Sequence, residues 1–337
     1  MSTSIKSVFS PIQGNPNYIQ YEYKFNWVSI FSIFVLSYTI SSFYIFLKLS
    51  FFSIKDREKI RNGGLRIEIF QSFFAMQFWN IQLIIGEYMT FRIPYTGLVT
   101  SFYASENPQF MLKLFMLIYN WAFYSSQLLT VLFYVLRAAV LYSRNQKSME
   151  KIILSVIYFI IFIGFVAALP HVQAPAACLQ ALEPYPFGSI LIISEWFLYN
   201  MKNVALGNML FSASVTCTII MLNALVVKKI RSRKFLSTQN VSTQNAKVEK
   251  TLSRTMIILL IPMTFNLFVS IGELFQIGNF SYILFLRPLF LDARVHIVTC
   301  YFYFTHPVFK KKLFTSPNSV SQNLKNFSMV VTLAKVV

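Results

Sequence analysis

Four ionisable side chains, Arg287, Asp292, Arg294 and His296, sit inside one apolar run, "FSYILFLRPLFLDARVHIVTCYFYFTHPVFKKKL", which is long enough to cross a bilayer. A charge near the middle of a membrane helix costs roughly 2.5–3.5 kcal/mol on insertion scales, so this set calls for partners, water or a functional use. Asp292 and His296 are spaced i, i+4 and meet on one side of a helix. Measured from Lys310 at about 1.5 Å per residue, Asp292 stands about 27 Å up the helix, His296 about 21 Å and Arg287 about 34 Å. If "HPVFKKKLF", residues 306–314, instead turns to lie on the inner surface, each height falls by about 6 Å. The same arithmetic from Arg66 puts Glu87 about 31 Å up its own helix, level with Arg287, and makes the two a candidate pair. These groups belong to the middle and upper part of a span rather than to its basic end, Lys310 to Lys312.

A second polar set recurs every seven residues: Lys113, Asn120, Gln127 and Tyr134. Seven residues drift only about 20° on an ideal helix, so these four form one stripe facing the interior of a bundle. Interhelical hydrogen bonding is one reading. The other is that the end carrying Lys113 and Asn120 lines a ligand cavity. Arg137 follows Lys113 by 24 residues, or about 36 Å, one bilayer with its edges. It reads as a snorkelling anchor or as a switch arginine, with Glu68 and Glu249 as candidate partners. Pro262, inside another apolar run, removes a helical hydrogen bond and is a candidate lever point.

Enzymatic chemistry has no foothold. There is no phosphate-binding glycine loop, no H-E-x-x-H, no C-x-x-C and no G-x-S-x-G. His171, His296 and His306 are scattered, and Cys178, Cys217 and Cys300 lack metal-ligand spacing, so neither a metal nor a cofactor is expected.

The elements that must position these residues follow from composition. Of 337 residues, 55% are hydrophobic and 12% charged, with 36 Phe and 18 Tyr, which is too much apolar surface for an ordinary soluble core. The expected fold is all-α, a seven-transmembrane helix bundle with spans at about 26–47, 67–89, 111–136, 152–170, 207–227, 255–275 and 281–305. Residues 1–25 are expected as an extracellular amino terminus and 306–337 as a cytoplasmic tail. The second span holds Glu68, Gln71, Gln77, Asn80, Gln82 and Glu87, so other helices must enclose it. "GSILIISEWFLYN" from Gly188 is too short to span and is expected in an extracellular loop or at the interface. The "STQN" repeat at Ser237 and Ser242 lies in a polar linker expected to stay unstructured.

The net charge of +18 comes in short blocks between the apolar runs, which argues for a membrane partner and against nucleic acid. Twenty-three Lys and Arg fall on the side of the first, third and fifth connections and the tail; Lys6, Lys24, Arg92 and Lys202 fall on the other. Because basic loops stay inside, the amino terminus is expected outside. Asn279-Phe280-Ser281 is the one glycosylation sequon expected on the outer side.

Three stretches carry a resemblance: "IQGNPNYIQYEYKF" before the first span, "FYVLRAAVLYSRNQ" at the end of the third, and "LRPLFLDARVHIVTCYFYFTHPVFKK" near the end. From Ile12 to Lys312 the chain resembles nematode serpentine chemoreceptors of the Srg superfamily, most of all class U (Sru). The resemblance implies a G-protein-coupled receptor at the plasma membrane or sensory cilia, a small-molecule ligand, a heterotrimeric G protein partner, and Arg137 in the place of the third-helix switch arginine. The chain departs from the wider receptor pattern. Val135-Leu136 and Ala138 flank Arg137, "DARVH" has Ala293 and His296 where proline and tyrosine stand, and 101–113 offers Cys178 no disulfide partner. Glu87, Lys113, Asn120, Arg287, Asp292 and His296 are thus the candidate ligand site, and Arg137, Glu68, Glu249 and Pro262 the candidate activation face. The rival is a transporter or ligand-gated channel that uses the buried charges as a path; it would call for inverted repeats, which the sequence lacks.

Overall fold

A computed structural model describes residues 11–55, 66–142, 150–196, 200–236, 243–275 and 280–305. Its frame is seven long helices: α1 Trp27–Lys55, α2 Ile67–Glu87, α3 Gln109–Tyr142, α4 Glu150–Ala168, α5 Met201–Leu236, α6 Thr243–Phe275 and α7 Phe280–Thr305. Most run past the expected spans because the apolar stretch fixes only the part in hydrocarbon, while helical hydrogen bonding continues into the flanking polar turns. α6 begins at Thr243, inside the second STQN copy, so that part of the linker is helical rather than unstructured. Residues 237–242, Asn279 and the whole of 306–337, including the basic run and the surface-helix segment, lie outside the described residues.

Five of the helices, α1, α3, α4, α5 and α6, combine the length and apolarity needed to cross a membrane. α2 and α7 have the length but carry the polar residues singled out above, and they are the helices that pack against one another and against the bundle centre. α3 is that centre. The most apolar stretch of α3 is 61% buried, against 17% for α1, which lies on the outside of the bundle. α3 packs on α2, α4 and α5; α6 sits between α5 and α7; and α7 closes the ring against α1 and α2. Aromatic stacking fills the seam, with Phe73 and Phe302 4.2 Å apart between centroids and Phe46 and Phe74 5.0 Å apart.

One end of the bundle is covered by a β-hairpin together with the short helices Pro16–Ile19 and Thr100–Glu106. β1, Ala176–Gln180, pairs antiparallel with β2, Ile190–Ser194, with Cys178 opposite Ile192. The "GSILIIS" stretch is therefore a strand. Its burial alternates, with Ile190, Ile192 and Ser194 facing in, the period-two pattern that β-branched residues favour. From Pro11 on, the amino-terminal segment joins this hairpin, because Pro11 bridges to Leu179 and Ile12 N–H donates to Cys178 O at 3.0 Å. Gln109 fixes the hairpin to the start of α3 by accepting from Ala176 N–H and donating to Ala176 O. Ile12, Tyr103, Leu112, Met116, Cys178 and Ile192 share one small core under this cover.

Candidate functional site

The site begins with a change of helical pitch. After Glu87 the α2 helix passes into a π-turn, Tyr88–Arg92, followed by the short helix Ile93–Tyr95. In an α-helix five residues would turn Arg92 about 140° away from Glu87. The i→i+5 pitch of a π-turn brings them to the same side, and such turns are frequent at functional sites. Arg92 Nε and Nη2 donate to Glu87 Oε2 at 3.1 and 2.7 Å. The same guanidinium crosses to α7, donating from Nη1 to Asp292 Oδ2 at 2.9 Å and from Nη2 to Asp292 Oδ1 at 2.6 Å.

Further groups close around this core. Tyr38 of α1 donates to Asp292 Oδ2 at 2.9 Å. Arg287 Nε stands 3.6 Å from Glu87 Oε1, the pairing expected from their heights, and Arg287 also donates to the Tyr119 hydroxyl of α3. His296 Nε2 is 4.0 Å from Asp292 Oδ2, and its ring meets Tyr38 edge-on at 4.7 Å. The Arg92 guanidinium lies over the Tyr88 ring at 4.6 Å. Two arginines and two carboxylates balance in charge, and Glu87, Arg92 and Asp292 are all under 5% exposed. A buried charge set of this kind is tolerated where each member is both paired and hydrogen-bonded.

Beside it is a small recess between α1 and α7 that encloses about 20 Å³, room for about one water molecule. Val28, Phe31, Val35, Phe285 and Pro288 form its walls, Tyr95 and Tyr185 its cover, and Arg92 its one charged contact. Tyr185 comes from the connection between β1 and β2 and stacks on Tyr95 at 4.3 Å. Burial holds the Tyr185 hydroxyl above its ordinary range and therefore protonated.

The structure thus brings together Glu87, Arg287, Asp292 and His296 from the expected ligand set. It does not bring the other two. Lys113 is half-buried near the start of α3, away from these contacts, and Asn120 turns its amide back to Met116 O at 2.8 Å on its own helix. The stripe itself does face inward, and Tyr134 donates across to Met256 O of α6. At the opposite end Arg137 is 3% exposed, so it is buried rather than snorkelling. Glu68 is also buried and lies 3.7 Å from Arg66 through Oε2. The Glu249 side chain lies outside the described residues. α6 runs as one helix through Pro262, whose missing N–H leaves Ile258 O without its helical donor.

Arg92 was placed by sequence among the outer loop residues, and the structure corrects this: it is the hub of the network. Charge balance gave no sign of it, because Arg287 and Arg294 in the same apolar run already match Glu87 and Asp292 in number. Tyr38 and Tyr119 carried no signal either, since a tyrosine in an aromatic-rich span reads as packing.

These features, seven membrane-length helices and a buried ionic bridge between the second and the seventh, agree with what comparison with known proteins finds. Residues 12–312 match the family described as "Serpentine type 7TM GPCR chemoreceptor Sru". The chain belongs to the Sru family. It is 25% identical over 307 residues to serpentine receptor class U-26 of Caenorhabditis elegans, across 88% of this chain and 96% of that protein. An Sru protein is a multi-pass membrane chemoreceptor and not an enzyme.

Proposed function

We propose that this Sru receptor takes a small molecule at the hairpin-covered end of its bundle and signals to a heterotrimeric G protein at the opposite end. The observation that carries the reading is the Glu87–Arg92–Asp292 bridge beside the cleft. A molecule that parts α1 from α7 at this recess touches Arg92 and the aromatic cover, and so bears on the ionic contacts that tie the end of α2 to α7. Such a ligand has a largely apolar body, because Phe31, Val35, Phe285 and Pro288 form most of what it meets. A ligand shifts the receptor only by the difference in its affinity for two arrangements, and a bridge with four polar contacts supplies a discrete contact to lose.

The hairpin end faces outward in this reading, toward the environment that a receptor at the plasma membrane or a sensory cilium samples. Support comes from the asymmetry of basic residues, heavily concentrated on the connections at the other end. Arg137, Glu68 and Pro262 lie toward that end and are proposed to act in G-protein activation, with Glu249.

The test is nucleotide exchange on a G protein by the full-length receptor, reconstituted in lipid nanodiscs and exposed to a panel of small apolar odorants. We expect at least one compound to drive exchange, and Phe285→Trp, which fills the cleft, to raise its half-maximal concentration about tenfold or more with surface expression intact. Exchange indifferent to Phe285→Trp and Tyr185→Ala would remove the cleft from the reading. Ligand-driven current or uptake in liposomes without G protein would replace the receptor with the transporter or channel.

A further inference from the structure

Arg294 follows Asp292 by two residues but points to the other side of α7, into the centre of the bundle, where it is 2% exposed. Its Nη2 donates to Ser126 O at 3.1 Å and to Thr130 Oγ1 at 2.7 Å, both on α3 and both uncharged. Among the described residues no carboxylate lies within ion-pair distance of it, and its buried Nε has no hydrogen-bond partner. Arginine cannot shed this charge, because the guanidinium stays protonated in proteins. An uncompensated buried cation is among the more destabilising features a fold can hold.

Neutral side chains with unused hydrogen-bonding capacity lie along the neighbouring stretches of α2 and α3. Gln77 of α2 donates from Nε2 to Arg294 O at 3.5 Å while its own Oε1 has no partner. Asn80, three residues further along α2 and 2% exposed, has no partner for either amide atom. Gln127, adjacent to Ser126 and one turn from Thr130, is fully buried with both amide atoms unpartnered. At this level the α2–α3–α7 seam therefore offers one fixed positive charge and several amide groups, with no carboxylate among the described residues within ion-pair distance of that charge. A metal cation would be repelled there.

We propose that Arg294 anchors a buried site for a small monovalent anion, of which chloride is the fitting example. The anion accepts from the Arg294 Nε–H and from amide N–H groups of Asn80 and Gln127, and so joins α2, α3 and α7 at mid-bundle. The site is distinct from the ligand cleft, since Arg294 lies about 9 Å along α7 from Pro288, the nearest cleft residue on that helix, and faces α3 rather than α1. It does not depend on which ligand the receptor senses.

The test uses full-length receptor in zwitterionic nanodiscs, in potassium chloride or potassium gluconate at matched ionic strength. We expect the unfolding temperature to rise with the logarithm of chloride concentration, by about 3 °C per tenfold once the site is filling. Bromide and nitrate should substitute, and sulfate should not. Arg294→Gln should show no anion dependence, and in gluconate it should unfold no lower than wild type, because neutralising the cation removes the need for the anion. Should Arg294→Gln not fold, Asn80→Leu is the second variant, and it should flatten the chloride series. A wild-type unfolding temperature that is flat across the chloride series overturns the proposal, leaving Arg294 held by neutral dipoles alone. So does a chloride dependence that survives in Arg294→Gln or is undiminished in Asn80→Leu.

Discussion

Arg92 makes four hydrogen bonds to two carboxylates that belong to different helices. Taking it away leaves Glu87 and Asp292 buried without their main counter-charge, and the cost of an unpaired buried charge far exceeds that of losing a surface pair. We expect Arg92→Gln to destabilise the receptor by about 3–5 kcal/mol, read as a loss of unfolding temperature in nanodiscs. Joint neutralisation with Glu87→Gln and Asp292→Asn should recover part of that loss; an additive further loss would show that the groups do not act as one network. Cys178 sits at the same scale but outside the spans. Burial in the hairpin core pushes its thiol up to about 12 from an ordinary value of 9.0. The folded state therefore resists forming the thiolate, and the stability this gives is complete below about pH 9 and is lost as pH rises toward 12. Between pH 8 and 10.5 the wild type should lose stability more steeply than Cys178→Ala. A maleimide should label Cys178 on unfolding and not before, in a background lacking Cys217 and Cys300.

Among the elements, α2 and α3 approach one another so closely that a Cβ on Gly86 would come within 2.8 Å of Tyr119 Cα, which is backbone and cannot swing aside. This contact sets the height of Glu87 against Tyr119, the hydroxyl that Arg287 reaches. Gly86→Ala should cost about 1–3 kcal/mol by forcing the helices apart. Gly207→Ala on α5 is the control: a Cβ there meets open space, so the change should be neutral or mildly stabilising through helix propensity. Equal losses at both positions, measured by thermal unfolding, would refute the close approach as the cause. The π-turn that follows Gly86 was not legible from periodicity, because apolar spacing on a 3.6-residue pitch cannot register one extra residue in a turn. The strand nature of Ile190–Ser194 was only half legible: its length excluded a span, and alternation decides for a strand only once one face is seen to be buried.

For the whole molecule, the arrangement is a bundle with a covered end, a buried ionic bridge beneath the cover and a basic end opposite. The orientation proposed for it is open to direct measurement in intact cells. A membrane-impermeant maleimide should label Gln20→Cys at the hairpin end and leave Arg231→Cys at the far end of α5 unlabelled, both in a background without native cysteines. The reverse pattern would invert the receptor and place the cleft inside the cell. What sequence alone determined was the membrane class, seven segments of sufficient length, the inward stripe on α3 and the meeting of Glu87 with Arg287, since each depends only on hydropathy, helical period and rise per residue. What the tertiary structure decided was the swing of Arg92 into the interior, the cleft between α1 and α7, the hairpin that covers it and the isolation of Arg294 from every described carboxylate. Those depend on how one helix is rotated and set in height against another. That is decided by contacts between residues far apart in the chain, about which local spacing carries no information.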